Sequence, residues 1–151
     1  PQTLIADLLF PSLIADALCL GPHWIYDSAE ISRLYGAGLT RFDSPHSKYH
    51  PGKRAGDFTH YGDQTLALLR SIVSRGGFDA QGWREDWPRF WSQNTVSYRD
   101  GATRQTLDNL AHGLATPSPS HDLGGASRIA PVLAAHHGDP LELRIKAARE
   151  Q

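Results

Sequence analysis

The sequence predicts an all-α fold, on three observations. Apolar residues recur at helical spacing in several separate segments. No segment sustains the two-residue alternation of a half-buried strand. Helix start and stop residues punctuate the chain, with glycine, proline, serine and aspartate at the breaks.

The first element is marked by Leu4, Ile5, Leu8, Leu9, Leu13, Ile14, Ala17 and Leu18. Pro11 is expected to kink or divide it, and Gly21-Pro22 to end it. A short helix is predicted over residues 28–34, with Ser28 as its cap. Residues 36–61 are rich in Gly, Pro, Ser and His and read as a long loop, a length that usually carries function or motion. Helix returns over residues 64–75, with Leu66, Leu69, Ile72 and Val73 as its inner face and Gly76-Gly77 as its stop. Asp79 caps the next helix, which carries Trp83, Trp87, Phe90 and Trp91, with Pro88 as a flaw. These tryptophans read as core rather than as a stacking platform, because their spacing buries one face. Residues 103–113 form a further helix with Leu107 and Leu110 inward, 116–120 a Pro/Ser loop, and 125–137 a buried helix. Asp139-Pro140-Leu141-Glu142 is a complete start signal: cap, proline at the first helical position and acid three residues after the cap. No stop signal follows it before Gln151, so a continuing chain is expected. The helices are expected to pack in several directions rather than in a long coiled coil.

The chain has 151 residues, 40% of them hydrophobic and 21% charged, the balance of one globular domain with a real core. Residues 1–151 are read as a single, incomplete domain. With 15 basic and 16 acidic residues there is no basic surplus, which argues against nucleic-acid binding. No stretch approaches the roughly 20 apolar residues of a membrane-spanning helix. The start of the chain contains Asp7 and lacks a basic leader, so it does not read as a signal peptide. The single cysteine, Cys19, is expected to be a small buried hydrophobe, in keeping with a cytoplasmic setting.

Thr59-His60-Tyr61-Gly62-Asp63-Gln64-Thr65 stands at a loop-to-helix junction and is the sharpest local signal. A helix start favours anions, and a carboxylate there can hold a hard cation such as Mg²⁺ through oxygen. Aspartate is also a preferred helix cap, and a cap is the plainer reading of Asp63. Eight histidines are present: His23, His46, His50, His60, His112, His121, His136 and His137. His46 and His50 have the spacing of a helical zinc pair, but Pro45 and Pro51 flank them and argue against a shared helical face. Most of the histidines read as surface or hydrogen-bonded core residues. Ser120-His121-Asp122 is no catalytic triad, since triad partners meet in space rather than in sequence. The turn from Ser120 to Gly125 can present backbone amides to a diphosphate, or can be an ordinary start to a helix. A His-Asp phosphohydrolase using His121 and Asp122 is a weaker alternative, because that pair leaves a loop instead of facing other ligands from a helix.

Four motifs, taken in order, resemble the ADP-ribosylglycohydrolase family. Ala15-Asp16-Ala17-Leu18 is similar to its Gly-Asp-Ala-Leu-Gly helix. Gly62-Asp63-Gln64-Thr65-Leu66-Ala67-Leu68 is similar to its Asp-Asp-Thr-Gln-Met-Ala-Leu segment. Arg99-Asp100-Gly101-Ala102-Thr103 with Leu107, Leu110 and Gly113 resembles the helix that follows. Gly124-Gly125-Ala126-Ser127-Arg128-Ile129-Ala130-Pro131 resembles its Gly-Gly-Ala-Met-Arg-Ile-Ala-Pro segment.

The resemblance implies an all-α orthogonal bundle that hydrolyses an ADP-ribosyl or related glycosidic bond with metal assistance. It implies Asp63 as metal ligand and catalytic residue, and Ser120, His121, Asp122, Gly124, Gly125 and Arg128 as substrate contacts. It also implies a small-molecule or protein-attached ADP-ribosyl substrate. The departures fall on the metal motif. The family's Thr/Ser-Asp-Asp triplet reads Tyr61-Gly62-Asp63 here, Cys19 and His23 replace a glycine and a glutamate, and Leu123 replaces an asparagine. The family's second, C-terminal Asp cluster does not occur in these residues. Mg²⁺ binding is therefore expected to be weakened or lost. The alternative is an inactive member that serves as a binding or crystallin-like structural protein. A missing C-terminal half, or self-association in its place, is expected to cover exposed apolar surface.

Overall fold

The computed structural model describes residues 2–94 and 96–151, with the backbone alone for residues 2–5. Among the described residues there are seven α-helices and no strand, as the periodicity predicts. They are α1 (Gln2–Cys19), α2 (Ser28–Tyr35), α3 (His60–Arg75), α4 (Ala80–Gln93), α5 (Gly101–Ala111), α6 (Ile129–Ala135) and α7 (Leu141–Glu150). A single 3₁₀ turn over Ala126–Arg128 leads into α6.

α1 runs through Pro11 without dividing. Proline removes one backbone bond, but the helix is anchored beyond it by Ala17 and by Leu20 just past its end, both buried. The predicted packing of Leu4 and Ile5 lies outside the described side chains, as does Pro1. Cys19 is exposed, against expectation: it ends α1 one residue before the chain turns inward at Leu20. α2 is capped by Asp27, whose carboxylate accepts from the Ala29 amide, so Ser28 is the first helical residue and not the cap.

α3 is the central element, and it begins earlier than predicted. Thr59 is its cap, and its hydroxyl accepts from the Tyr61 amide. Asp63 therefore lies inside the first turn, and the cap reading of that residue is overturned. The buried face of α3 is Gln64, Thr65, Leu68, Ser71 and Ile72, while Val73 is exposed. The predicted stripe caught Ile72 but missed the rest of this face, because much of it is polar. Each of its polar side chains has its own bond: Gln64 with Trp87, Thr65 with the Tyr61 carbonyl, and Ser71 with Asp86. Gly76 closes the helix in the left-handed conformation, at φ 73°.

Asp79 caps α4 as predicted. Trp83 and Trp91 are buried, and Trp87 packs against the core while its indole N–H donates to Gln64. The core joins Leu68 and Ile72 of α3, Trp83 of α4, Val132 of α6 and Ala147 of α7. Leu110 of α5 is exposed rather than inward. The predicted helix over 125–137 is the 3₁₀ turn plus the shorter α6, which packs on α1, α3 and α7. Asp139 does not cap α7. Its carboxylate is bonded to His136 Nδ1 at 2.7 Å, and Pro140 holds the cap position. Phe10 and Ile14 of α1 and Leu141, Leu143 and Ile145 of α7 are exposed. No helix among the described residues is long and apolar enough to cross a membrane.

Candidate functional site

The N-terminal end of α3 collects the polar chemistry of the molecule. Asp16, from α1, accepts from the Thr59 amide at 2.8 Å and from the Thr59 hydroxyl at 2.6 Å. Thr59 can thus cap α3 and tie it to α1 at once. Burial raises the Asp16 carboxyl above its ordinary range, against the lowering effect of the Thr59 bonds. Gly62 fits directly beneath this carboxylate. A Cβ at 62 would overlap the Asp16 carboxylate, with Cγ at 2.6 Å, and would stand 2.8 Å from Phe58 Cβ.

One residue on, Asp63 is bound to Lys53 Nζ at 2.6 Å, and Ser97 Oγ donates to the same carboxylate oxygen. The Lys53 side chain is 7% exposed and that of Asp63 15%, so this is a shielded ion pair. It fastens the long loop before α3 to the first turn of that helix.

A second cluster lies alongside. His60, fully buried, is bonded through Nε2 to Asp100 at 3.1 Å. Asp100 also caps α5, accepting from the Thr103 amide. Burial alone would raise the Asp100 carboxyl, but the bonds from His60 and Thr103 outweigh it and hold the group well below the usual range. His23 Nδ1 and His50 Nε2 stand 2.6 Å apart, one donating to the other. Trp24 stacks on both rings, at 4.4 Å from His23 and 5.3 Å from His50. Trp24 is the sole non-glycine among the described residues with positive φ, at 65°, a strained conformation that persists only where the surroundings enforce it.

Burial, with His50 and His60 close by, lowers the His23 imidazole to about 3; burial, His60 and Lys53 lower His50 to about 4. These values carry a stability consequence. In the unfolded chain both histidines titrate near 6.5, so below that pH the unfolded state binds protons that the folded state refuses. Their contribution is complete above about pH 6.5 and is lost as the pH falls toward the folded values. Thermal melts in EDTA are expected to show a midpoint that drops by several degrees between about pH 7 and about pH 5. A flat profile over that range would contradict the buried, neutral state of the pair.

Trp24, Tyr26, Tyr49, Tyr61, Tyr98, Asp100, Gly101 and Asp122 line a cleft of about 290 Å³. Burial raises the Tyr61 phenol, helped by Asp100 and Asp122. A neighbouring hollow of about 440 Å³ is bounded by Pro51 and by Asn94 and Val96–Arg99, on the side of Ser97.

The residues singled out in the sequence divide between two places. Asp122 lines the cleft. Gly124 packs against Tyr61, where a Cβ would meet the ring at 3.3 Å. Arg128 donates to Gln64 of α3 at 3.0 Å, and burial lowers its guanidinium to about 10. These three therefore reach the start of α3. Ser120 accepts from the Asp122 amide in an exposed loop, and His121 and Gly125 are exposed. His46 bonds to Asp43 while His50 bonds to His23, in keeping with the flanking prolines that argue against a His46–His50 pair.

A family model described as ADP-ribosylglycohydrolase matches residues 3–151, nearly the entire chain. The chain belongs to the ADP-ribosylglycohydrolase family. No individually curated protein matches it. Membership in the ADP-ribosylglycohydrolases assigns a hydrolase of that type at family level, implies ADP-ribosylated substrates, and agrees with the all-helical fold. The family is typically metal-dependent, and among the described residues one group of three side chains, His23, His50 and His60, could hold an ion. Sequence reasoning named these histidines singly and missed their union, along with Lys53, Trp24 and Tyr98. The available signal was the density of histidine in and just before the long loop.

Proposed function

We propose that this chain carries the ADP-ribose-binding cleft of a hydrolase that cleaves an ADP-ribosyl or related glycosidic bond, with the cleft between Trp24, Tyr61, Tyr98, Asp100 and Asp122 as the substrate site. The observation that carries this reading is the meeting of Asp122 and Gly124 with Tyr61 at the start of α3. It brings the residues just before the second and fourth family motifs, Tyr61 and Asp122, to one hollow with Asp100 and Gly101 of the third, and Gly124 packs against Tyr61. Aromatic walls suit an adenine or ribose face. Asp100, held ionised, is an acceptor for ribose hydroxyls and a counter-charge for an oxocarbenium-like transition state. Ser120, His121 and Gly125 border Asp122 and Gly124 in sequence and are proposed as the exposed side of the substrate contact. Arg128 supports α3 through Gln64.

The Mg²⁺ site of the family does not fit this donor set. Mg²⁺ requires near-octahedral oxygen ligands. Both Asp16 oxygens are bonded to Thr59, one Asp63 oxygen is bonded to Lys53 and Ser97, and Gly62 offers no side chain. That leaves Oδ1 of Asp63, beside an ammonium group. The proposed ligand and catalytic role of Asp63 would require Lys53 to withdraw. The same observation favours a second reading, a member that binds ADP-ribose without turnover.

One set of experiments separates the two. ADP-ribose binding is measured by calorimetry, and ADP-ribose release from ADP-ribosylated arginine, ADP-ribosylated serine and O-acetyl-ADP-ribose is followed with Mg²⁺, Mn²⁺ or EDTA. Binding that is weakened by Tyr61→Ala, together with release, supports the hydrolase. Binding without release supports the second reading. Absence of both overturns the cleft assignment. Mg²⁺ alone is expected to give no saturable heat.

A further inference from the structure

We propose that His23, His50 and His60 form a three-imidazole site for one late first-row divalent ion of the Zn²⁺ type, separate from the oxygen-based metal motif of the family. One ring nitrogen from each histidine lies within 4.8 Å of the other two. Nitrogens sharing a tetrahedral zinc at bond lengths of about 2.0–2.1 Å stand about 3.4 Å apart. The rings need shifts of an ångström or so to reach that geometry. His23 and His50 separate slightly from their 2.6 Å contact, and His60 closes in.

Three features support a metal over a histidine cluster held by its own bonds. His60 has its Nε2 fixed by Asp100, while its Nδ1, the nitrogen left to face His23 and His50, is buried with no partner. A buried polar atom left unpaired has lost its solvation without a replacement, so such an atom calls for an occupant. Second, Asp100 stands to His60 as the outer carboxylate stands to a ligating histidine: it fixes the tautomer and raises ligand basicity. Third, the donors are all nitrogen. Imidazole suits zinc, copper and nickel, whereas Mg²⁺ and Ca²⁺ select oxygen. Three protein ligands leave a fourth position for water, next to the cleft walled by Trp24 and Tyr61.

The test uses the full chain, free of any affinity tag and stripped with chelator, titrated with Co²⁺ alone at neutral pH. The expected result is one equivalent of Co²⁺, with visible d–d bands of a low-coordinate site, displaced by Zn²⁺. His50→Gln and His23→Gln are expected to abolish saturable binding. His112→Ala, which alters an exposed histidine just past the end of α5, leaves it unchanged. Asp100→Asn keeps the α5 cap and is expected to weaken binding by about 10–100-fold, as an outer-shell carboxylate should. Circular dichroism confirms that each variant is folded. If a histidine variant does not fold, the wild-type titration decides. No stoichiometric Co²⁺ binding by wild type, or binding that survives loss of His23 or His50, overturns the site. Because the readout is metal binding and not turnover, an inactive cleft and an absent metal site give different outcomes.

Discussion

Asp63→Ala is expected to destabilise the protein by about 3–5 kcal/mol, the scale for breaking a shielded ion pair by removing one partner. The loss comes chiefly from Lys53, whose side chain is 7% exposed and would be left as an unpaired charge. Ser97 also loses its acceptor. A helix cap would predict only about 1 kcal/mol, but Thr59 already fills that position. The measurement is urea unfolding of wild type, Asp63→Ala, Lys53→Met and the double variant. The double variant is expected to be more stable than Asp63→Ala alone, because it removes the stranded ammonium. A loss of about 1 kcal/mol or less for Asp63→Ala would mean that Lys53 reaches water easily and that Asp63 is freer to serve a cation.

The second large effect is expected at Gly62. Gly62→Ala places a Cβ against the Asp16 carboxylate and Phe58. The partners are held by Thr59 and by the α1–α3 packing, so relief requires the helices to move. Overpacking of this kind costs about 1–3 kcal/mol. Gly62→Asp, which would recreate the family's paired acids, is expected to cost more. It adds a second carboxylate beside Asp16, whose own charged form burial already disfavours. Thermal denaturation should rank the variants as wild type, then Gly62→Ala, then Gly62→Asp, with no gain in Mg²⁺ affinity from the last. Tight Mg²⁺ binding by Gly62→Asp would contradict the packing argument, since it would show that the site can reopen around a restored ligand.

The departures in the metal motif thus have a structural counterpart. The glycine is not simply a lost ligand. The space of its side chain is taken by Asp16, and the remaining acid is neutralised by a lysine from the long loop. The sequence displayed the substitution but not the compensation, because Lys53 lies ten residues from Asp63 in a segment without periodicity. Likewise, His46 and His50 suggested a pair by their spacing, whereas the contacts that form are His46 with Asp43 and His50 with His23, 27 residues away.

By itself the sequence determined the helical class, most element positions, the cap at Asp79, the tryptophan core and the family. These are set by local periodicity, capping chemistry and ordered motifs, which need no knowledge of distant partners. Only the tertiary structure decided the face that α3 buries, the carboxylate that Lys53 neutralises and the grouping of His23, His50 and His60. The physical reason is the same for all three. Polar side chains carry no hydrophobic period, and their burial depends on partners that long-range packing brings within about 3 Å.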